Sequence, residues 1–258
     1  MMSSSDSDQA WRQWGEQNPY FAVLTDRGLR RESLTPEALT AFFASGETHV
    51  RDVLDTIRGH LDPAFRPARA LDFGCGVGRL LFPLAEVADS AVGVDVSPAM
   101  LAEARTQAER RNLTNVRLVE SDDALSRVEG PFELVHSFLV LQHIPVARGE
   151  QLIRRLLELV APGGVAALHV PYARDVSPLR RVFAWIRRTM PGAHGVVNWI
   201  RGARWAQPAM QMNLYDLGRV FGLLEQAGVS QIHTRFVRDG EYRGVMLYAR
   251  RPEAAPRG

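Results

Sequence analysis

The sequence predicts an α/β fold: one mostly parallel β-sheet wrapped by helices. Three observations lead to this prediction. From residue 68 onward, short apolar runs alternate with stretches of helical periodicity. A glycine-rich segment stands where the first apolar run meets the first helical stretch. The chain closes on two strand-like runs around Asp239-Gly240, a pair typical of hairpin turns.

Composition is that of a folded protein with a sizeable core. Of the 258 residues, 46% are hydrophobic and 23% are charged, so the chain is not of the disordered class. All 31 basic residues are arginine, which suits carboxylate or phosphate partners but is equally expected from coding bias. The one cysteine, Cys75, excludes an internal disulfide and a multi-cysteine metal site. Without a secretory signal or a long apolar span, a cytoplasmic location is expected.

The N-terminal quarter is predicted to be helical with breaks. Thr35 and Pro36 favour a helix start, so a helix is expected over Glu37–Ser45. Gly46 is expected to interrupt it before a second apolar stripe begins at Val50. The predicted organisation is a disordered tail over 1–10, a helical cap over 11–67, a main domain over 68–250 that includes a helical insert at 174–212, and a tail over 251–258.

The alternating part of the chain predicts five strands in succession. They are Arg69–Phe73, Ala91–Asp95, Val116–Glu120, Phe132–Ser137 and Val165–Val170. The predicted helices between and after them are Arg79–Ala88, 98–111, Arg148–Val160 and Leu214–Ala227, the last closed by Gly228. The closing hairpin is expected from Gln231–Val237 and Arg243–Arg250. Residues 174–212 carry several prolines and glycines and do not fit the alternation.

The glycine-rich segment between the first strand and its helix predicts a ligand site. Dinucleotide loops have the spacing G-x-G-x-x-G, whereas the third glycine here, Gly78, comes one residue early. Asp72 precedes the first glycine by two residues and would repel a pyrophosphate. It would suit a cationic, phosphate-free ligand with an amino-acid tail. Asp95 ends the next strand, where a carboxylate can accept hydrogen bonds from both hydroxyls of a ribose. A nicotinamide or flavin dinucleotide remains the competing interpretation.

Five segments in order carry a family resemblance: LDFGCGVGR, VGVDVSPAML, LVESDDA, FELVHSFLVLQHIP and LVAPGGVAALHV. They resemble the successive motifs of class I S-adenosylmethionine-dependent methyltransferases, and in particular the small-molecule branch catalogued as types 11 and 12. The resemblance covers about Arg69 to Val170 and, more loosely, the closing helix and hairpin. It implies a Rossmann-like sheet of seven strands with an antiparallel last strand, and S-adenosylmethionine as cofactor.

The resemblance also implies which positions contact the cofactor. They are Asp72, Gly74, Cys75, Gly76 and Gly78 around the methionine part, Asp95 at the ribose, Val96 and Met100 against the adenine, Asp122, Asp123 and Ala124 at the adenine amine, and Ser137 and Phe138 near the sulfonium and acceptor. Each has a structural alternative. Gly78 is also explained by helix packing, Met100 by the core, and one of the two neighbouring aspartates by a solvated turn. Cys75 is more typical of a small filler than of a nucleophile.

Candidate acceptor residues lie past the fourth and fifth strands. His143 is suited to proton abstraction near neutral pH and is the candidate catalytic base; the alternative is that it positions its loop or contacts the cofactor. The candidate substrate contacts are Tyr172, Gln211, Asn213 and Tyr215. Tyr20 and Arg51 are candidates for the cofactor carboxylate, with lid packing as the alternative. His136, inside an apolar strand, is interpreted as a core histidine with its hydrogen bonds satisfied.

The predicted function is methyl transfer to oxygen or nitrogen of a small molecule or glycan. The alternatives are an RNA or protein methyltransferase, which the basic pI keeps open, and a non-catalytic S-adenosylmethionine-binding scaffold. Against the macromolecular alternative, the fourth-strand motif lacks the Asn/Asp-Pro-Pro-aromatic signature of amino-group nucleic-acid methylases. DNA is not an expected partner. No metal site is expected. The insert at 174–212 is interpreted as a lid, or as a surface for an anionic or lipid-linked acceptor near a membrane. The sequence predicts no oligomeric state.

Overall fold

The structure, a computed structural model, describes residues 4–122, 124–175 and 212–254. One seven-stranded sheet organises this part of the chain, with the strand order β3-β2-β1-β4-β5-β7-β6. The strands are β1 (Arg69–Phe73), β2 (Ser90–Asp95), β3 (Val116–Glu120), β4 (Phe132–Ser137), β5 (Val160–Arg174), β6 (Gln231–Asp239) and β7 (Tyr242–Arg250). All neighbouring strands are parallel except for β7, which is antiparallel to both β5 and β6. The predicted fold class is confirmed.

Helices cover both faces of the sheet. They are α1 (Ser4–Gln17), α2 (Pro19–Val23), α3 (Pro36–His60), α4 (Leu81–Val87), α5 (Pro98–Arg110), α6 (Val146–Glu158) and α7 (Leu217–Gln226), with short 3₁₀ turns at Arg27–Leu29 and Leu141–His143. The apolar stripes of α6 and α7 pack on one face of β1, β4, β5 and β7. Residues of α3, α4 and α5 cover the opposite face. Within the described ranges, none of the helices combines the length and the apolar composition that a membrane span requires.

The N-terminal end is ordered further than expected. The prediction of a disordered tail over residues 1–10 is wrong for residues 4–10, because α1 begins at Ser4. Tertiary contacts hold this helix: the Ser7 hydroxyl donates to the carbonyl of His143 at 2.9 Å, and Asp8 forms an ion pair with Arg148 at 2.6 Å. Polar composition alone predicts disorder only where such partners are lacking.

The expected break at Gly46 is also wrong, because α3 runs without interruption through it. A Cβ at this position would lie 2.0 Å from the carbonyl oxygen of Arg79. Glycine is therefore required by the close approach of another backbone and not by a turn. The predicted start of α3 is confirmed, since the Thr35 side chain accepts the N–H of Ala38.

The other differences concern boundaries near the fifth strand and α7. The helix α6 ends at Glu158, and β5 begins already at Val160, paired with Phe132. A register shift between Phe132 and Leu134 accommodates Pro162, Gly163 and Gly164 within β5. The start of α7 lies at Leu217 because Asp216 caps the N–H groups of Gly218 and Arg219.

Candidate functional site

A pocket opens at the carboxyl ends of β1, β2 and β4, where ligands bind in open sheets of this kind. Its wall combines the glycine loop, the ends of these strands, α1 and the segment after β4. The lining residues are Ser7, Asp8, Trp11, Ala22, Val23, Asp72, Phe73, Gly74, Cys75, Gly76, Arg79, Leu80, Val94, Asp95, Val96, Met100, Ser121, Phe138, Leu139, Val140, His143, Ile144, Arg148 and Leu152. The pocket brings together most of the cofactor positions that the sequence predicts.

The loop after β1 is held open by its glycines. The amides of Gly74 and Cys75 both donate to the carbonyl of Val94, which ties the loop to β2. Gly74 has φ +78°, and a Cβ there would lie 2.3 Å from Val140. Gly78 lies outside the pocket lining. A Cβ at Gly78 would meet the ring of Phe82 at 2.2 Å, so helix packing accounts for this glycine.

Asp95 stands at the end of β2 with its carboxylate turned toward the loop. It accepts the N–H of Gly76 and the N–H of Ser97, both at 2.9 Å. Burial raises the pKa of Asp95 to about 6, although these backbone hydrogen bonds favour the ionised form. Burial also raises the pKa of the Cys75 thiol well above its usual range, so this side chain is a poor nucleophile.

Arg79 is a pocket residue that sequence reasoning missed. Its side chain is only 5% exposed and lines the same pocket as Asp72. Nη1 donates to the Ser45 hydroxyl at 3.3 Å, while Nε has no hydrogen-bond acceptor among the described residues. Burial lowers the pKa of Arg79 to about 10, and the charge of Asp72 acts in the opposite direction. A carboxylate and an unsatisfied guanidinium facing one cavity fit the zwitterionic head of an amino acid.

The far end of the pocket is apolar, with one hydroxyl. Val96 and Met100 line it as expected, and Ser121 adds a side chain that was not expected. Asp122 lies outside the lining. Its Oδ1 accepts the amides of Ala124 and Ser126, and its Oδ2 binds the Ser126 hydroxyl. These bonds to Ser126 hold the pKa of Asp122 below its usual value, as expected for a residue that caps its own turn. Ala124 also lies outside the lining, and Asp123 falls outside the described residues.

At the end of β4 the structure separates the two candidate residues. Phe138 lines the pocket, whereas Ser137 is buried beside it and donates its hydroxyl to the carbonyl of Phe73 at 3.0 Å. His143 lies further along, with its ring 4.6 Å from that of Trp11 between centroids. Gln142 Nε2 is 3.2 Å from His143 Nε2.

A second, more polar cleft adjoins the pocket. It shares four wall residues with it: Ala22, Val23, Leu139 and His143. The rest of its lining comes from the β6–β7 turn and the neighbouring segments: Leu24, Thr25, Gln142, Asp175, Met212, Arg238, Asp239, Gly240, Glu241 and Tyr242. His143 therefore lies at the junction of the two cavities.

None of the candidate substrate residues that the structure describes lines either cavity. Asn213 donates its backbone N–H and its side-chain amide to the carbonyl of Gln142. The buried Tyr215 hydroxyl lies 3.0 Å from the carbonyls of Leu141 and Ile144. Both side chains thus brace the turn that carries His143 and lie outside both linings. Tyr172 is also outside them, near Phe236, and Gln211 lies outside the described residues.

The expected carboxylate contacts, Tyr20 and Arg51, are not part of the pocket either. The hydroxyl of Tyr20 is 2.5 Å from Glu103 and accepts the Gln107 amide at 2.9 Å, which makes it part of the packing of α2 on α5. Within the described ranges, no three histidine, cysteine or acidic side chains cluster so as to hold a metal ion.

Comparisons with known proteins agree with this geometry. Residues 70–164 match the family model described as "Methyltransferase domain". The chain is 39% identical over 111 residues to a trans-aconitate 2-methyltransferase from Methylobacterium nodulans, a match that covers 42% of this chain and 40% of that protein. It is 32% identical over 161 residues to a ubiquinone biosynthesis O-methyltransferase from Azorhizobium caulinodans, covering 60% of each. The matched part is less than two thirds of either relative.

Among solved structures, the chain resembles magnesium protoporphyrin IX methyltransferase from Synechocystis PCC 6803 with bound S-adenosylhomocysteine (SAH). The TM-score is 0.63 at 18% identity, and the match covers 94% of this chain and 99% of that one. At this identity the likeness concerns the fold.

Proposed function

The chain carries a class I S-adenosylmethionine-dependent methyltransferase domain, and from this premise we propose that it methylates an oxygen or nitrogen atom of a small molecule. The observation that carries the proposal is the junction of two cavities at His143. One cavity has the charges and the apolar end that the cofactor needs, and the other, which adjoins it, is assigned to the acceptor. A scaffold that only binds the cofactor would have no use for this second cavity.

The cofactor is assigned to the pocket over the glycine loop. Asp72 binds its ammonium group, Arg79 its carboxylate and Asp95 its ribose hydroxyls. Ser121 replaces Asp122 as the polar group at the adenine end, where Val96 contributes apolar contact. Bound there, S-adenosylmethionine supplies a sulfonium carrying a transferable methyl group. The pocket wall aligns the reacting atoms and shields them from water, which is the main contribution a protein makes to an in-line displacement.

His143 is assigned to the acceptor. The Gln142 amide nitrogen can only donate, so at 3.2 Å it favours a neutral His143 whose Nε2 lone pair faces this amide. A hydroxyl acceptor takes the place of the amide at Nε2. An unprotonated imidazole is the form that removes a proton from a hydroxyl acceptor. The turn braced by Asn213 and Tyr215 holds this ring at the junction, so these two residues support the acceptor site without touching the acceptor.

The names of the relatives support a small acceptor. They refer to trans-aconitate, to ubiquinone biosynthesis and to magnesium protoporphyrin IX, and none refers to RNA or protein. A glycan acceptor belongs to the same proposal. The prediction that 174–212 contacts a membrane or a lipid-linked acceptor concerns mainly residues 176–211, outside the described ranges.

Two measurements test the proposal. Calorimetry with S-adenosylmethionine, SAH and NAD tests the cofactor, and a preference for NAD would overturn the assignment. Methyl transfer from isotope-labelled S-adenosylmethionine to a metabolite extract, followed by mass spectrometry, tests the activity and identifies the acceptor. Label found only in RNA or protein would favour the macromolecular alternative.

Replacement of His143 is expected to separate catalysis from cofactor binding. For a hydroxyl acceptor, His143→Ala should lower kcat by about a hundredfold, because general-base catalysis contributes at least this much. The affinity for SAH should stay within about twofold, since a twofold change is under 0.5 kcal/mol. His60→Ala, an exposed histidine at the end of α3, is the control. An unchanged kcat would exclude His143 as the base.

The affinity for SAH is expected to fall at acidic pH. The pKa of Asp95 is raised to about 6 in the unliganded protein, whereas ribose hydroxyls donate to the ionised carboxylate. Binding therefore favours loss of the proton, so affinity is full above about pH 6 and falls by up to about tenfold per unit below it. Calorimetry across this range checks the slope. Asp95→Asn should abolish the contribution of this carboxylate to the pH dependence of SAH affinity. An equal pH dependence in both proteins would contradict the prediction.

A further inference from the structure

A row of three side chains, linked by hydrogen bonds, runs from the cofactor pocket to α3. Asp72 and His136 stand opposite each other on the neighbouring strands β1 and β4. His136 is fully buried, and its Nδ1 lies 2.9 Å from Oδ1 of Asp72. Behind it, His49 of α3 places its Nε2 3.1 Å from His136 Nε2. The two histidines are 87 positions apart in the chain, so the fold brings them together.

The chemistry of these atoms fixes the position of one proton in this row of side chains. A carboxylate oxygen can only accept, so His136 Nδ1 carries the proton that it shares with Asp72. The other ring nitrogen, His136 Nε2, shares a hydrogen bond with His49 Nε2, in which one of the two nitrogens donates to the other. Burial, followed by the nearby His136 and Arg79, lowers the pKa of His49 to about 2, so His49 stays neutral. The row of side chains therefore holds Asp72 by a hydrogen bond from His136 Nδ1.

The second carboxylate oxygen of Asp72 is left for the pocket. Oδ1 is the only atom of this carboxylate that takes part in a hydrogen bond with the described residues. Asp72 itself lines the pocket. The hydrogen bond from His136 to Oδ1 restricts rotation of the carboxylate and sets the direction of Oδ2. Hydrogen-bond partners outside a metal site orient the metal's ligands in the same way.

We propose that His136, supported by His49, is a positioning residue that orients the Asp72 carboxylate toward the ammonium group of the cofactor's amino-acid tail. This inference rests on the proposed function, because it concerns the same pocket. Neither histidine touches the cofactor. Their effect is confined to ligands that carry the amino-acid tail, whereas a role in packing alone would affect every ligand of the pocket equally.

The test is calorimetry with two probes, SAH and 5′-methylthioadenosine, which has the adenosine and the sulfur but no amino-acid tail. His136→Leu should weaken SAH binding by about tenfold or more, the size of a hydrogen bond to a charged group, and 5′-methylthioadenosine binding by less than about twofold. His136→Asn places an amide donor near the former Nδ1 and should restore most of the SAH affinity. His49→Gln should have a smaller effect of the same kind, and His60→Gln on the same helix should have none.

Three results would overturn the inference. They are an equal loss for both probes, an unchanged preference for SAH in the His136→Leu and His49→Gln variants, and ¹⁵N NMR of the wild-type protein showing His136 unprotonated at Nδ1. The NMR measurement needs no variant, so it decides the question even if His136→Leu does not fold. Wild-type protein that binds neither probe would contradict the proposed function and the inference with it. Normal SAH binding with an equal loss would contradict the inference alone.

Discussion

Asp95→Ala is expected to weaken SAH binding by about a hundredfold or more. Two hydrogen bonds from ribose hydroxyls to a charged acceptor are lost, each contributing about 1.5–3 kcal/mol. The substitution also removes the acceptor of the Gly76 and Ser97 amides. The glycine loop, which is assigned to the methionine part of the cofactor, then loses one of its supports, so we expect both ends of the ligand to be affected.

Calorimetry with SAH measures this effect, and two variants give it a scale. Asp95→Asn keeps one acceptor oxygen and should bind more tightly than the alanine variant but more weakly than wild type. Asp122→Ala removes a carboxylate that lies outside the pocket lining and should change the affinity by less than about twofold. Wild-type affinity in Asp95→Ala would disprove the placement of the ribose. A large loss in Asp122→Ala would restore that residue as the adenine contact.

Gly46→Ala is expected to lower the free energy of unfolding by about 2–4 kcal/mol. This sign is the reverse of the usual one, since alanine in the middle of a helix is normally favoured over glycine by about 0.5–1 kcal/mol. The added methyl group would lie 2.0 Å from the carbonyl oxygen of Arg79. Because that atom belongs to the backbone just before α4, the clash is relieved only if α3 or this backbone moves.

The same helix offers the matched control. A Cβ at Gly59 would meet nothing within 4 Å, so Gly59→Ala should stabilise the protein by about 0.5–1 kcal/mol. Urea denaturation of both variants gives the comparison. If Gly46→Ala is as stable as Gly59→Ala, the close contact between α3 and Arg79 does not exist in solution.

Local pattern was sufficient for most of the fold. β1, β3 and β4 match their predicted bounds, and β2 differs by one residue, because buried parallel strands flanked by turn residues are strong signals. Prediction was wrong where a distant contact overrides local preference. The helix at Ser4 is held by residues of the segment after β4 and of α6, and Gly46 is explained by the backbone of Arg79. Neither contact can be predicted from the residues that are adjacent in the sequence.

The same distinction between local pattern and distant contact applies to the residues of the candidate site. The positions of Asp72 and Asp95 follow from their places at strand ends, which the chain order determines. Arg79 directly follows the glycine loop, but only its burial and its unpartnered Nε distinguish it from a surface arginine. Asp122 and Ser121 are adjacent in sequence, and the turn to Ser126 decides which of them faces the pocket. His49 lies in a helix that no motif connects to Asp72.

The shared wall of the two cavities has a kinetic consequence. α1 crosses one rim of the donor pocket, with Ser7 bound to the segment after β4 and Arg12 bound to the carbonyl of Val96. A molecule seated in the polar cleft stands over the other rim, at Leu139 and His143. With donor and acceptor sites as proposed, we expect the donor to bind before the acceptor and the demethylated donor to leave after the methylated product. The expected kinetics are those of a compulsory-order sequential mechanism, in which excess acceptor inhibits by forming a dead-end ternary complex with the demethylated donor.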